Sequence, residues 1–135
     1  MPLPTVARSI FVFMLLALCV PQQPAVAATG NADAQFDSLS KRFVDEFGRY
    51  APVSATQLGD HRFDGELDDL SAAGRARTLA WTRGVLAELQ AIDHSQLSRA
   101  NQVDAAMLDN QLRYSIWSET KYRDWSWDPL VYTQL

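Results

Sequence analysis

The sequence predicts an all-α fold of about four amphipathic helices. Apolar residues recur at three- and four-residue spacing through most of the chain, and turn residues fall where helices must start and stop. No run alternates apolar and polar residues in the manner of a half-buried strand.

The first helical stripe is Phe36, Leu39, Phe43, Phe47 and Tyr50. Asp33 is a plausible N-cap, and Pro52 ends the helix because it disfavours the α region at Ala51. Asp45 and Arg49 stand one helical turn apart in the favourable order. Pro52 suits the first turn of a short second helix, with Gly59 as the left-handed residue past its end. Asp60 to Asp69 is an acidic connector, and Ser71 can cap a third helix with Leu79, Thr82, Leu86 and Leu89 on one face and Trp81, Val85 and Ile92 beside it. Gly74 and Gly84 weaken the propensity of that helix, so packing must hold it.

Asp93 to Ser98 is a break, and Ser98 can cap a fourth helix reaching to about Asp124. That helix carries two stripes. Val103, Met107, Tyr114 and Trp117 form one, and Ala105, Leu108, Leu112 and Ile116 form the other, which implies burial against more than one neighbour. Asp109–Arg113 and Glu119–Arg123 repeat the favourable charge spacing. The last stretch, Trp125 to Leu135, is rich in large apolar groups that belong in a core or an interface, and it reads as the end of a truncated chain.

The N-terminus reads as an export signal. Arg8 precedes an apolar run from Ile10 to Val20, Pro21 and Pro24 break it, and Ala25-Val26-Ala27 offers a small-x-small cleavage site. Residues 1–27 are therefore expected to be a signal peptide, residues 28–35 a flexible tether, and residues 36–135 the helical region. The run is shorter than the roughly 20 residues a spanning helix needs. The destination is the periplasm or the extracellular space, with no membrane partner after cleavage. Cys19 leaves with the signal, so neither a disulfide nor a cysteine-ligated metal supports the mature fold. Cleavage takes Arg8 from the 12 basic residues and none of the 16 acidic ones, leaving about −5. Scattered bases on an acidic chain argue against nucleic acid as a partner.

Chemistry-bearing residues concentrate at Asp60-His61-Arg62-Phe63-Asp64. Loops on a rigid scaffold are where binding tends to collect, and His61, Arg62 and Asp64 are candidate substrate-binding residues, with His61 or Arg62 meeting a carboxylate. The competing reading is structural: the same groups satisfy turn amides and each other while Phe63 buries. Catalytic sets are missing. The chain has 2 histidines, His61 and His94, on different connectors, and no His-Glu-x-x-His. An EF-hand register starting at Asp60 puts Arg62 third and Ser71 twelfth, which fails for calcium. Ser54 lies near His61 but on no Gly-x-Ser-x-Gly elbow, and no phosphate-cradling glycine loop occurs. Neither catalytic nor metal-ligating residues are assigned, and no cofactor is expected in this chain. Trp117, Trp125, Trp127 and Tyr132 could stack on a sugar ring, but aromatics of this kind more often anchor cores.

Three blocks carry a family resemblance: Pro52 to Asp64, Ser98 to Ala105 and Trp125 to Thr133. In this order they resemble the N-terminal end of the bacterial family called domain of unknown function 885. The resemblance implies a large, mostly helical, often exported protein whose later part carries a His/Glu motif like that of a zinc peptidase. This chain would then be the N-terminal portion of a metallopeptidase-like hydrolase, inactive alone. Its partners would be the remainder of the full-length protein and a peptide substrate, with zinc in the missing part. The alternative is a free-standing helical binding module of the cell envelope.

Overall fold

The computed structural model describes residues 30–133. The expected signal peptide and the first two tether residues lie outside this range. Four α-helices run through the described residues: α1 Gly30–Phe47, α2 Pro52–Gln57, α3 Ala72–Ala91 and α4 Arg99–Trp117. Short turns of 3₁₀-helix at His61–Phe63, His94–Gln96, Asp124–Ser126 and Pro129–Thr133, and one turn of π-helix at Ser118–Tyr122, fill the connections and the tail. The fold is all-α, as the periodicity predicts.

The core lies where α1, α3 and α4 meet. Phe36 and Leu39 from α1, Val85 and Leu89 from α3, and Ala105 and Leu112 from α4 are buried together, with Ile92 and Leu97 closing one end. Each pair is spaced three, four or seven residues apart, which is why one face of each helix turns inward. On α3 the buried face is Thr82, Val85 and Leu89, so Val85 sits at its centre and Leu86 is only half-buried. Phe43 and Tyr50 both stack on Trp81, with centroids 5.3 and 4.5 Å away, and Trp81 Nε1 donates to Glu46 at 2.8 Å.

Three helix ends follow the sequence signals: the starts of α3 and α4 and the end of α2. Ser71 Oγ accepts from Gly74 N at 3.0 Å, and Ser98 Oγ accepts from Asn101 N at 3.4 Å. Gly59 has φ 91°, the left-handed conformation that a residue with a Cβ resists.

Five expectations are corrected. Residues 30–35, expected within a flexible tether, are helical, because Ala32 packs into the core and extends α1 to Gly30. Asp33 therefore sits in the first turn of α1 rather than capping it, and its carboxylate reaches α4 instead. The fourth helix stops at Trp117, where a π turn widens the backbone, and Arg123 adopts φ 51° at its end. Glu119, within the π turn, pairs with Arg75 at 3.3 Å in place of Arg123. Finally, only one α4 stripe is buried. Ala105 and Leu112 pack against α1 and α3 in the core, whereas Val103 and Met107 stay exposed, Tyr114 is half-exposed at the edge of a cleft against α3 and the tail, and Trp117 stacks on Tyr122 at 5.3 Å.

Candidate functional site

The connector between α2 and α3 folds back over α2. Asp68 Oδ1 accepts from Val53 N at 3.2 Å and so caps a helix that opens on Pro52 and has no cap of its own. Asp64 Oδ1 accepts from Thr56 Oγ1 at 2.8 Å. These bonds hold the His61–Phe63 turn against α2 and place all three sequence-predicted site residues.

His61, Arg62 and Asp64 come together on that turn, and their hydrogen bonds are local. His61 Nδ1 lies 3.0 Å from Asp64 Oδ2, with the imidazole 72% exposed. Arg62 grips Asp60 with two parallel bonds, Nε to Oδ1 at 2.9 Å and Nη2 to Oδ2 at 2.7 Å, and its guanidinium sits 5.4 Å from the Phe63 ring centroid. The Arg62 hydrogen bond holds the Asp60 carboxyl below its usual range, and Asp60 in turn raises Arg62. A guanidinium committed to a fork on its own neighbour has donors left but a fixed direction. The cluster is a rigid, solvent-facing corner.

A second feature was not legible from local sequence. Between α3, the last turns of α4, the connector and the tail lies a cleft of about 310 Å³, lined among others by Tyr50, Asp69, Thr82 and Tyr114. Arg75 organises it. Its guanidinium lies 3.8 Å from the Trp125 ring centroid, pairs with Glu119 at 3.3 Å, and donates to the Leu70 carbonyl at 2.6 Å. Arg123 approaches the same indole at 4.9 Å. Asp69 accepts from Ser71 N at 3.0 Å and pairs with Arg77. Those contacts, Ser71 first and Arg77 second, bring its carboxyl down to about 2. Arg75 and Glu119 are 44 positions apart in sequence, so no i,i+4 pattern could announce them.

The remaining candidates are structural. His94 Nε2 donates to the Leu89 carbonyl at 2.9 Å and closes the end of α3. Trp125 faces the cleft, while Trp127 Nε1 donates to Tyr122 O at 3.1 Å and Tyr132 Oη to Trp125 O at 2.6 Å. These bonds wind the tail on itself.

Zinc does not fit the donors present. His61 and His94 stand on separate turns at different helix ends, and among the described residues no three His, Cys, Asp or Glu side chains converge. Nor does any helix among the described residues have the length and apolarity to cross a membrane.

Fold and site together define an all-α polypeptide with a pre-organised polar corner and an arginine-centred cleft. The chain matches the family described as bacterial protein of unknown function (DUF885) over residues 52–135, and it belongs to that family. The match begins at Pro52, where the first of the three resembling blocks begins, and leaves α1 outside. No curated protein and no solved structure matches the chain.

Proposed function

We propose that this chain is the N-terminal helical part of an exported, metallopeptidase-like hydrolase, and that it supports one wall of the substrate cleft. The observation that carries this reading is the family membership of residues 52–135, taken with the tail that follows α4. There Trp127, Leu130 and Tyr132 remain 58, 62 and 45% exposed on turns held by their own hydrogen bonds. Apolar surface of this size on a pre-formed scaffold is suited to being covered by more protein. In this reading the remainder of a longer polypeptide covers the tail and supplies the zinc and the catalytic groups, and a peptide is the substrate. His61, Arg62 and Asp64 form the corner of the cleft wall, with the free edge of Arg62 available to a peptide carboxylate.

The test is made on the full-length protein. Arg62→Ala is expected to raise KM for peptide substrates severalfold with kcat little changed, since a binding residue remote from the chemistry contributes uniform binding. Unchanged KM, or a full-length protein that binds no zinc and cleaves no peptide, would overturn the reading.

A further inference from the structure

A groove of about 560 Å³ lies between α1 and the polar corner, lined by Lys41, Arg42, Asp45, Glu46 and Arg49 on one side and by Arg62 on the other. Local structure explains how two separate elements come to share it. Gly48 directly follows α1, and a Cβ there would run into the Phe63 ring, so glycine lets the His61–Phe63 turn seat on the end of α1. Arg62 precedes Phe63 and is carried to the groove with it.

Some of these charges are already committed. Arg42 is paired with Glu88, Glu46 accepts from Trp81 Nε1 at 2.8 Å, and Arg62 spends Nε and Nη2 on Asp60. Lys41, Asp45 and Arg49 take part in no ion pair among the described residues. Arg49 misses the partner its spacing offers because α1 ends at Phe47. Its N–H donates to the Glu46 carbonyl at 3.0 Å in a turn, outside the helical register that an i,i+4 pair with Asp45 needs. Asp60 foremost, and Asp45 in a smaller part, raise the Arg62 pKa, which sets Asp45 near the corner as well. Two uncommitted cations and the outer edge of a guanidinium thus face a single uncommitted carboxylate, and the groove is left locally cationic on a chain of formal charge −4.

We propose that Lys41 and Arg49 complete the site begun by the outer edge of Arg62, and that the groove takes a carboxylate of a peptide. The proposal rests on the reading of Arg62 given above and extends it to α1, which lies outside the residues matched to the family. Lys41 and Arg49 against Asp45 leave one positive charge over, which suits a carboxylate better than a phosphate dianion. Guanidinium groups on two elements can each offer a planar fork to carboxylate oxygens, and the Lys41 ammonium adds charge without a fixed direction.

The experiment is calorimetric titration of the full-length protein with acetyl-trialanine, its C-terminal amide, and acetyl-alanyl-aspartyl-alanine amide, with cleavage of each peptide followed separately. At least one of the two carboxylate peptides is expected to bind about tenfold more tightly than acetyl-trialanine amide. Which of them does so tells whether the carboxylate is a chain terminus or a side chain. Arg49→Ala should remove most of that preference and Lys41→Ala part of it, while affinity for the neutral amide and the helical circular dichroism stay unchanged, both residues being exposed. Arg49→Lys should restore only part, because an ammonium lacks the fork. Equal affinity for all three peptides, or a preference that Arg49→Ala leaves intact, would overturn the proposal. Preferential binding without cleavage would support the groove and overturn only the hydrolase reading.

Discussion

Asp33 in the first turn of α1 and Asn101 in the first turn of α4 are joined by a 2.9 Å hydrogen bond from Asn101 Nδ2 to Asp33 Oδ1. The same oxygen accepts from Ser98 N, also at 2.9 Å, and these bonds, that of Ser98 first among them, lower the Asp33 pKa. One helix thus caps another 65 residues away. Asp33→Ala is expected to lower Tm clearly more than Asp37→Ala, whose carboxylate makes only the longer 3.2 Å contact to Asn101. Equal losses would show that the cap does not hold α1 to α4.

Acid should act through the same kind of group. Asp69 has its pKa depressed from 3.8 to about 2, and Asp33, Asp60, Asp93 and Asp109 are also lowered by donors beside them. A carboxyl depressed in the folded state contributes stability above its unfolded pKa and loses it as pH falls through the folded one. Tm measured against pH is expected to fall between pH 3.8 and about 2, and Asp69→Asn should flatten that fall. A curve unchanged by Asp69→Asn would remove this carboxylate from the account.

Arg75 joins α3, the connector and the tail. Arg75→Ala is expected to cost about 2–3 kcal/mol from the lost stacking, ion pair and carbonyl bond together. Arg75→Lys should recover only part of this, since an ammonium keeps the charge but not the flat face over Trp125. A double-mutant cycle with Trp125→Ala, followed by denaturant unfolding, should give a coupling of about 1 kcal/mol. Additive single effects would mean that the stacking contributes nothing.

Two glycines of α3 should respond oppositely to alanine. A Cβ on Gly74 would come 2.1 Å from the Asp69 carbonyl oxygen, so the backbone must shift, and Gly74→Ala is expected to destabilise by ~1–3 kcal/mol. Gly84 is exposed, with nothing within 4 Å of such a Cβ, and Gly84→Ala should stabilise by ~0.5–1 kcal/mol through helix propensity alone. Chemical denaturation of the two variants decides it, and matching signs would contradict the packing.

The sequence by itself determined the class of fold, the caps at Ser71 and Ser98, the left-handed Gly59 and the proline start of α2, because each is a property of a few neighbouring residues. It also located the Asp60–Asp64 corner, whose bonds are all short-range. Tertiary structure decided which α4 stripe meets the core, since both stripes carry large apolar residues at helical spacing and the positions of α1 and α3 select between them. It also decided that Asp33 caps a distant helix and that Glu119 takes Arg75 in place of Arg123. Those partners are set by how three helices pack, and a periodicity of three or four residues carries no information about groups 44 or 65 positions away.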